Sequence, residues 1–379
     1  MLSVQAIKTA TFKITSTPQL TALMETFRDM INEAVRIGYE KRPRTRFQLI
    51  SLVYQYFKER YGLHTHYILN SCECAFGMLR NKKWKKRPYA KKLYLKLDNQ
   101  TYQIDNKVLR IPTKAREFIY LPIYGGEYQL SFLKDLTLKR GSITIRSAQL
   151  LVAFSKEIAE VPTLRNVGYD LNEKSIVSSD GEIHDLSKVA SISHQYSRVM
   201  ASISKAKHAD NRVKQELLNK YGERKRNRVK QALHLVSKSI IEKAKATKSK
   251  IVLENLTDIR KSHRKGNGEG RKMRGRLNRW PFHILQSQIE YKARWEGIPV
   301  TKVRAANTSK RCSQCGFINK ALKYERAWQC PNCGVKLDRD LNAAKNILAR
   351  SWVKEPSEVR SVNERMLDEA MEQLEIVSR

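Results

Sequence analysis

Acidic residues are scarce in this chain of 379 residues: 37 Asp and Glu stand against 73 Lys and Arg, a formal net charge of +36. The sequence also lacks any apolar run near the roughly 18 residues that a transmembrane helix needs. Its first residues lack the charged start, apolar block and cleavage site of a signal peptide. So large a positive excess favours polyanionic partners, with nucleic acid first and an anionic membrane surface second. We therefore expect a cytoplasmic nucleic-acid-binding protein with no membrane partner.

Cysteine is rare as well, and four of the six cysteines fall in two CxxC pairs. The pairs are Cys312 with Cys315 and Cys330 with Cys333, separated by a spacer of fourteen residues. Two such pairs can supply the four thiolates of a tetrahedral structural Zn²⁺ site. Four independent thiols are the alternative, and a redox switch would not need two matched pairs. We expect a zinc ribbon with Zn²⁺ as a structural cofactor.

The first 160 residues combine two sequence patterns. Residues 2–16 alternate as a strand does, and Thr17-Pro18 is typical of a helix start, with a cap residue before a proline at the first helical position. Apolar residues at helical spacing predict a helix to about Gly38, and two further helices are expected near 46–61 and 65–81. The remainder consists of short alternating runs separated by turn signals, which are typical of an antiparallel sheet or small barrel. One of these predicted strands is YQLSFL (128–133). We infer a β domain interrupted by a helical insertion.

The second part of the sequence predicts strands and helices in alternation. Two apolar strands, VGYDL (167–171) and KIVLENL (250–256), flank a long helical tract over 186–248 that is broken near Ala209-Asp210. Further helices are expected near 281–296 and 341–352. Residues 353–379 differ from the rest, with seven acidic side chains against four basic ones, and carry no predicted function.

Three acidic residues lie where these predicted elements begin or end. Asp170 and Glu254 belong to the two apolar strands, where an unpaired carboxylate is costly to bury. Asp340 comes just before the last predicted helix. Carboxylates in such places can converge on Mg²⁺, and two such ions can clamp the oxygens of a phosphodiester. By spacing alone, the alternative is that Asp340 only caps its helix and Glu254 is a carboxylate at a loop edge.

Five motifs, in this order, closely resemble the TnpB family, the RNA-guided nucleases of bacterial and archaeal insertion sequences and relatives of type V CRISPR effectors. They are GYDLNEK (168–174), VLENL (252–256), TSKRCSQCG (308–316), CPNCG (330–334) and DRDLNAAKNIL (338–348). The resemblance is motif-specific over 165–350 and consistent in layout over 1–160. Tyr169 and Asn172 depart from the more common GIDLG without replacing a matched acidic residue.

The resemblance implies an α/β multidomain fold. Residues 165–350 would form an RNase H-like (RuvC) nuclease domain, with the zinc ribbon inserted at 308–336. Residues 1–16 and 93–160 would form a β-barrel wedge domain that contains an inserted helical recognition domain, 17–92. Residues 353–379 form a tail that the resemblance does not cover.

The same resemblance implies an RNA-guided DNA endonuclease associated with a transposable element, prokaryotic and acting at the nucleoid. Asp170, Glu254 and Asp340 match the catalytic triad and would hold a two-metal Mg²⁺ site. Asp340 is chosen over Asp338 because the family pattern places the ligand two residues before Asn-Ala-Ala. The implied partners are a guide RNA and double-stranded target DNA with a short adjacent motif, and both monomer and dimer stay open.

Two basic segments are candidate nucleic-acid contacts. Residues 80–92 include no acidic residue and interleave Trp84 and Tyr89 with their cations, which favours nucleic acid over a solvated charged face. Residues 260–279 hold nine Lys or Arg against Glu269 and suit a phosphate track or a lid. The expected contacts are Lys82, Lys83, Trp84, Lys85, Lys86 and Arg87 in the first segment, and Arg264, Lys265, Arg271, Lys272, Arg274 and Arg276 in the second.

Three other functions stay open on the sequence. A DNA transposase proper would have a similar triad, although the large positive surface favours guided cleavage. A guide-dependent DNA-binding repressor without cleavage would need a broken triad, and none of the three carboxylates is missing. A zinc-ribbon RNA-binding protein would leave the three carboxylates unexplained.

Overall fold

The computed structural model describes residues 3–80, 86–114, 116–206, 210–256, 280–322 and 325–352. The described residues divide into two compact units, one formed by Val4–Glu157 and the other by the residues from Ile158 onward. Within the described ranges, no helix is long and apolar enough to cross a membrane.

The first unit is a curled sheet with three helices inserted after its first strand. Seven strands follow the order β2-β6-β7-β1-β5-β4-β3. Their bounds are β1 Ser3–Ile14, β2 Leu95–Leu97, β3 Gln103–Asp105, β4 Val108–Lys114, β5 Glu117–Tyr124, β6 Lys139–Arg146 and β7 Gln149–Ala159. Arg140 Nη1 of β6 donates a hydrogen bond to Ile104 O of β3 at 2.8 Å. This bond joins strands near opposite ends of the order, so the sheet curls around its apolar side chains.

The inserted helices are α1 (Pro18–Lys41), α2 (Arg46–Tyr61) and α3 (His66–Leu79). The predicted start of α1 is confirmed, since the Thr17 side chain accepts a hydrogen bond from the Leu20 backbone N–H at 3.2 Å and Pro18 follows in the first turn. Phe27 of α1 is fully buried and packs edge-on against Tyr67 of α3, with ring centroids 6.3 Å apart. This aromatic contact joins the first and third helices.

The strand predicted for YQLSFL is wrong, because this segment belongs to α4 (Glu127–Lys134). Tyr128 and Phe132 are one helical turn apart and form a T-shaped ring pair with centroids separated by 5.3 Å. Phe132 is also buried against Phe154 of β7, at a centroid distance of 5.5 Å. Apolar residues at every second position over so short a segment fit either period, and in the helix Tyr128 lies beside Phe132.

The second unit is built on a five-stranded mixed sheet in the order β10-β9-β8-β11-β12. β8 and β12 each pair in parallel with β11, whereas β9 and β10 are antiparallel. The strands are β8 Arg165–Leu171, β9 Ser175–Ser178, β10 Ile183–Asp185, β11 Ser249–Asn255 and β12 Val300–Arg304. The helices are α5 Ser187–Lys205, α6 Asn211–Ala246, α7 Phe282–Trp295 and α8 Arg339–Arg350. A two-stranded sheet, β13 Ala327–Gln329 with β14 Lys336–Asp338, precedes α8.

The central strand β8 has two faces with different neighbours. Val167, Tyr169 and Leu171 lie in a hydrophobic core that also contains residues of α6 and α7. The alternate residues, Gly168 and Asp170, therefore lie on the opposite face of the sheet.

Helix α8 covers this opposite face at very close range. A Cβ atom added at Gly168 would lie 2.4 Å from Ala344 O and 2.7 Å from Leu348 N, both backbone atoms of α8. Glycine thus allows the helix backbone to lie against the strand. Because α8 is pressed onto β8, its first turn is held near the end of the strand that carries Asp170.

Gly168→Ala should therefore lower the stability of the second unit, because helix backbone has to move away from the new methyl group. We expect a loss on the order of 1–3 kcal/mol, the usual cost of an overpacked site. Gly77→Ala in α3 is the matched control, since its Cβ would meet nothing within 4 Å. Chemical denaturation measures both variants, and equal midpoints for Gly168→Ala and wild type would contradict the close packing.

Candidate active site and zinc site

Asp170 and Glu254 lie side by side near the carboxyl ends of two parallel strands. β8 and β11 pair in register up to Tyr169 and Leu253, and the next residue of each strand is one of the two acids. Both acids are largely buried, with 6% of Asp170 and 8% of Glu254 exposed. Since in-register neighbours of parallel strands point to the same face, the two carboxylates share one poorly solvated edge of the sheet.

The electrostatic environment favours protonated acids at this edge. Burial, followed by the charge of Glu254, raises the pKa of Asp170 to about 7, and Asp340 adds a further increase. Asn172 opposes this effect by donating a hydrogen bond from Nδ2 to Asp170 Oδ2 at 2.7 Å. Burial also raises the pKa of Glu254, against the opposing effect of a hydrogen bond from Thr308. A bound cation would favour the ionised forms.

Asp340 lies in the first turn of α8, which begins at Arg339, two residues earlier than the predicted bound of 341. The N-cap is Asp338, whose Oδ1 accepts hydrogen bonds from the backbone N–H groups of Asp340 and Leu341 at 3.0 and 2.9 Å. The alternative that Asp340 only caps its helix is therefore wrong. The charge of Asp340 acts on Asp170, so the third predicted acid belongs to the same electrostatic group as the other two.

Three carboxylates from two strands and one helix can hold hard divalent cations, which prefer oxygen ligands. Over the part of the chain that the structure describes, the four cysteines are the group whose ligand atoms all lie within 4.8 Å of one another. Asp170, Glu254 and Asp340 do not form so close a group in this structure.

The four predicted zinc ligands come together as one cluster. The Sγ atoms of Cys312 and Cys333 are 3.8 Å apart, and those of Cys315 and Cys330 are 3.6 Å apart. A tetrahedron with Zn–S bonds of about 2.3 Å has edges of about 3.8 Å. The thiols therefore fit Zn²⁺, although Cys315 and Cys333 are exposed and the other two are buried.

Each cysteine pair is shaped by the same backbone turn. The Gly316 N–H donates to Cys312 O and the Gly334 N–H donates to Cys330 O, both at 2.9 Å. The φ angles of Gly316 and Gly334 are 78° and 71°, in the left-handed region that favours glycine. Two matched turns of this kind bring four thiols to one point, which four independent cysteines would have no reason to do.

Comparison with known proteins identifies the family of this chain. Residues 282–347 match the model of the Cas12f1-like TNB domain, and residues 23–112 match that of the uncharacterized protein MJ0013 family. The TnpB-like protein MJ0751 of Methanocaldococcus jannaschii is 31% identical over 262 residues, which cover 66% of this chain and 93% of that protein. The chain belongs to the TnpB family. The resemblance inferred from the five motifs is confirmed.

Two further relatives extend the comparison of this TnpB chain. The CRISPR-associated endodeoxyribonuclease Cas12f1 of Sulfoacidibacillus thermotolerans is 36% identical over 116 residues, which cover 30% of this chain and only 25% of that protein. A chain of the cryo-EM structure of the Cas12f1-sgRNA-target DNA complex gives a TM-score of 0.60 at 15% identity. That likeness covers 87% of the TnpB chain and 83% of the other. It shows that the two share an α/β multidomain fold.

Two of the predicted nucleic-acid contacts of the TnpB chain are described by the structure. Lys86 and Arg87 are both exposed. The others lie outside the described residues: Lys82, Lys83, Trp84, Lys85, Arg264, Lys265, Arg271, Lys272, Arg274 and Arg276. Residues 353–379 lie outside them as well. The contacts of both basic segments stay predictions.

Several polar residues of the site were missed by the sequence analysis. Thr308 Oγ1 donates a hydrogen bond to Glu254 Oε1 at 2.5 Å, and Gln286 Nε2 of α7 donates to Glu254 O at 2.6 Å. Asn172 contacts Asp170, although its sequence position marked it only as a departure from the family pattern. A polar residue such as Gln286 among the apolar positions of a helix is the signal that could have identified it.

Asp170→Asn should stabilise the metal-free TnpB chain at pH 8. The pKa of Asp170 is raised from 3.8 to about 7 in the folded chain. Protonated Asp170 therefore contributes fully to the stability of the fold below about pH 4, and this contribution is lost as the pH rises through 7. Ionising this buried acid costs on the order of 4 kcal/mol. We expect an unfolding midpoint several degrees above wild type at pH 8 in buffer without divalent cations.

The advantage of Asp170→Asn over wild type should shrink as the pH falls and vanish near pH 4. The control is Asp185→Asn, because hydrogen bonds from Ser187 lower the pKa of Asp185, so that variant should be less stable than wild type at pH 8. An advantage of Asp170→Asn that does not depend on pH would contradict the raised pKa.

The purified TnpB chain should contain about one zinc ion per molecule, and Cys330→Ser should lose it, because a structural site needs all four ligands. Part of the unfolding free energy should be lost with the metal, since zinc binding contributes to folding. Elemental analysis measures the metal content. Cys74→Ser is the control, as Cys74 lies outside the cluster. Unchanged zinc content in Cys330→Ser would show that the cluster does not hold the ion.

Proposed function

We propose that this TnpB-family chain is an RNA-guided DNA endonuclease that cuts its target by metal-assisted hydrolysis at one RuvC-type site. The observation that carries the proposal is the meeting of Asp170, Glu254 and Asp340 at one edge of a mixed sheet. The sheet order, with three antiparallel strands followed by two parallel ones, fits the RNase H-like domain that the motifs imply. The related Cas12f1 is named an endodeoxyribonuclease, and the fold neighbour was solved with sgRNA and target DNA.

Asp170, Glu254 and Asp340 would hold the Mg²⁺ ions of this site. When bound, two such ions stabilise the charge that develops on the attacking and leaving oxygens of a phosphodiester. Hydrogen bonds orient two of these carboxylates, since Asn172 donates to Asp170 and Thr308 donates to Glu254. Water would act as the nucleophile, and the zinc ribbon would be structural rather than catalytic.

Guide RNA and double-stranded target DNA are the proposed partners. Base pairing with the guide would read the target, and the protein would read a short adjacent motif. Residues 1–16 and 93–160 would act as the wedge domain, and 17–92 as the recognition domain. The cations of the two basic segments would contact phosphates, which position a nucleic acid without reading its sequence.

The intact carboxylate group counts against a guide-dependent repressor, because such a protein has no need to bury Asp170 and Glu254 at a cost in stability. A protein that only binds RNA through its zinc ribbon leaves the same cost unexplained. A transposase proper would use a similar group of acids, so the dependence on RNA is the property that separates it from the proposed function.

Cleavage should require both the triad and a matching RNA. Asp170→Ala should cut guide-matched plasmid more than about 100-fold more slowly with Mg²⁺, because a ligand is lost. Its binding to the same DNA should stay within a few-fold of wild type, since the substitution adds little to a net charge of +36. Asp185→Ala is the matched control, an exposed acid of the same unit that should cut normally.

Matched and mismatched plasmids are compared at moderate salt, with the copurified RNA present or removed. Moderate salt matters because a chain this basic binds any nucleic acid at low salt by releasing counterions. Equal cutting of both plasmids, or cutting that survives complete removal of RNA, would favour the transposase. Cutting by Asp170→Ala at the wild-type rate would instead overturn the assignment of the active site.

A further inference from the structure

Thr308 makes a short, buried hydrogen bond to the carboxylate of Glu254. Its Oγ1 donates to Glu254 Oε1 at 2.5 Å. Only 4% of Thr308 and 8% of Glu254 are exposed, so water competes little for this contact. Thr308 lies in the segment that leads from β12 into the zinc ribbon, far along the chain from the strand that carries Glu254.

The backbone around Thr308 is itself fixed to α8, the helix that carries Asp340. Asn346 Nδ2 donates to Thr308 O at 2.9 Å and to Arg311 O at 2.6 Å. Asn342, one turn earlier on the same helix face, donates from Nδ2 to Arg311 O at 2.7 Å and accepts from the Ser313 backbone N–H at 2.8 Å. Both asparagines are buried. The backbone that carries the hydroxyl in contact with Glu254 is therefore held by α8.

From these contacts we propose that Thr308 is a positioning residue for Glu254, whose hydroxyl fixes the carboxylate beside Asp170 in the orientation that binds a divalent cation. The proposal rests on the proposed nuclease function. A glutamate side chain has three rotatable bonds, and holding Oε1 removes much of that freedom before the cation arrives. A threonine suits the task because it donates a proton without adding charge, and its branched Cβ restricts its own rotamers.

Thr308 could instead serve only the loop, because its Oγ1 also lies 3.2 Å from Ala305 O. A role confined to the loop would change stability without changing cation affinity. If Thr308 positions Glu254, its loss should instead change the cation affinity, since the loss of a group that orients a metal ligand typically alters metal affinity or activity about 10–100-fold. The affinity of the full-length chain for Mn²⁺, measured separately from cleavage, distinguishes these two roles.

The experiment uses isothermal titration of Mn²⁺ into the full-length chain after removal of RNA, together with the thermal midpoint of each variant. Thr308→Val, which has nearly the same shape but no hydroxyl, should bind Mn²⁺ about 10–100-fold more weakly. Thr308→Ser keeps the hydroxyl and should stay within about threefold of wild type. Thr301→Val in β12 is the control for the loss of a hydroxyl elsewhere in the unit. If Thr308→Val does not fold, Thr308→Ala against Thr308→Ser makes the same comparison.

A second background tests whether Thr308 acts through Glu254. Once Glu254→Gln has weakened Mn²⁺ binding, adding Thr308→Val should weaken it little further, because the positioned carboxylate is gone. Wild-type affinity in Thr308→Val, or fully additive losses in the double variant, would overturn the positioning role. If the wild-type chain does not bind Mn²⁺, or if Glu254→Gln leaves the Mn²⁺ affinity unchanged, the proposed active site is wrong, and the positioning role is wrong with it.

Discussion

The burial of two neighbouring carboxylates is the constraint on which the second unit depends. Asp170 and Glu254 lie next to each other with little access to water, and Asp340 adds a third negative charge nearby. Burying acids in this way costs free energy that hydrophobic packing elsewhere has to offset. The core that includes Val167, Tyr169 and residues of α6 and α7 lies on the other face of the same strand. The larger hydrophobic core and the candidate chemistry therefore lie on opposite faces of β8.

The segment that carries the four-cysteine cluster is part of this arrangement and not an appendage. It lies in the chain between β12, the strand paired with β11, and α8, the helix that carries Asp340. Asn342 and Asn346 bind the backbone where the first cysteine pair begins. Zinc bound to the four thiols would fix that backbone, and its coordination energy would then also limit the movement of Thr308 and of the first turn of α8. A structural metal can in this way affect a reaction without touching the substrate.

The parts of the site that could be predicted were those set by short-range patterns. CxxC spacing indicated the four thiols, whereas Asp170 and Glu254 were assigned by the resemblance of their motifs to the TnpB family, since their positions in apolar strands left the alternatives open. YQLSFL was mispredicted because its apolar alternation is too short to separate two periods. The hydrogen bonds from Asn342, Asn346 and Thr308 join segments about 30 to 50 residues apart, and no local pattern encodes such pairings. Their residues were visible in the family motifs, but their roles required the fold.

The charge of the chain gives the proposed divalent cations a physical role at this site. A net charge of +36 attracts nucleic acid to almost any part of the surface. At the carboxylate edge, the ionised forms of Asp170, Glu254 and Asp340 would repel a phosphodiester that the rest of the chain attracts. Divalent cations at that edge would restore the attraction at one place. Nucleic-acid binding by the whole chain is then separate from the entry of one phosphodiester to the acidic edge. Only this entry depends on the three acids.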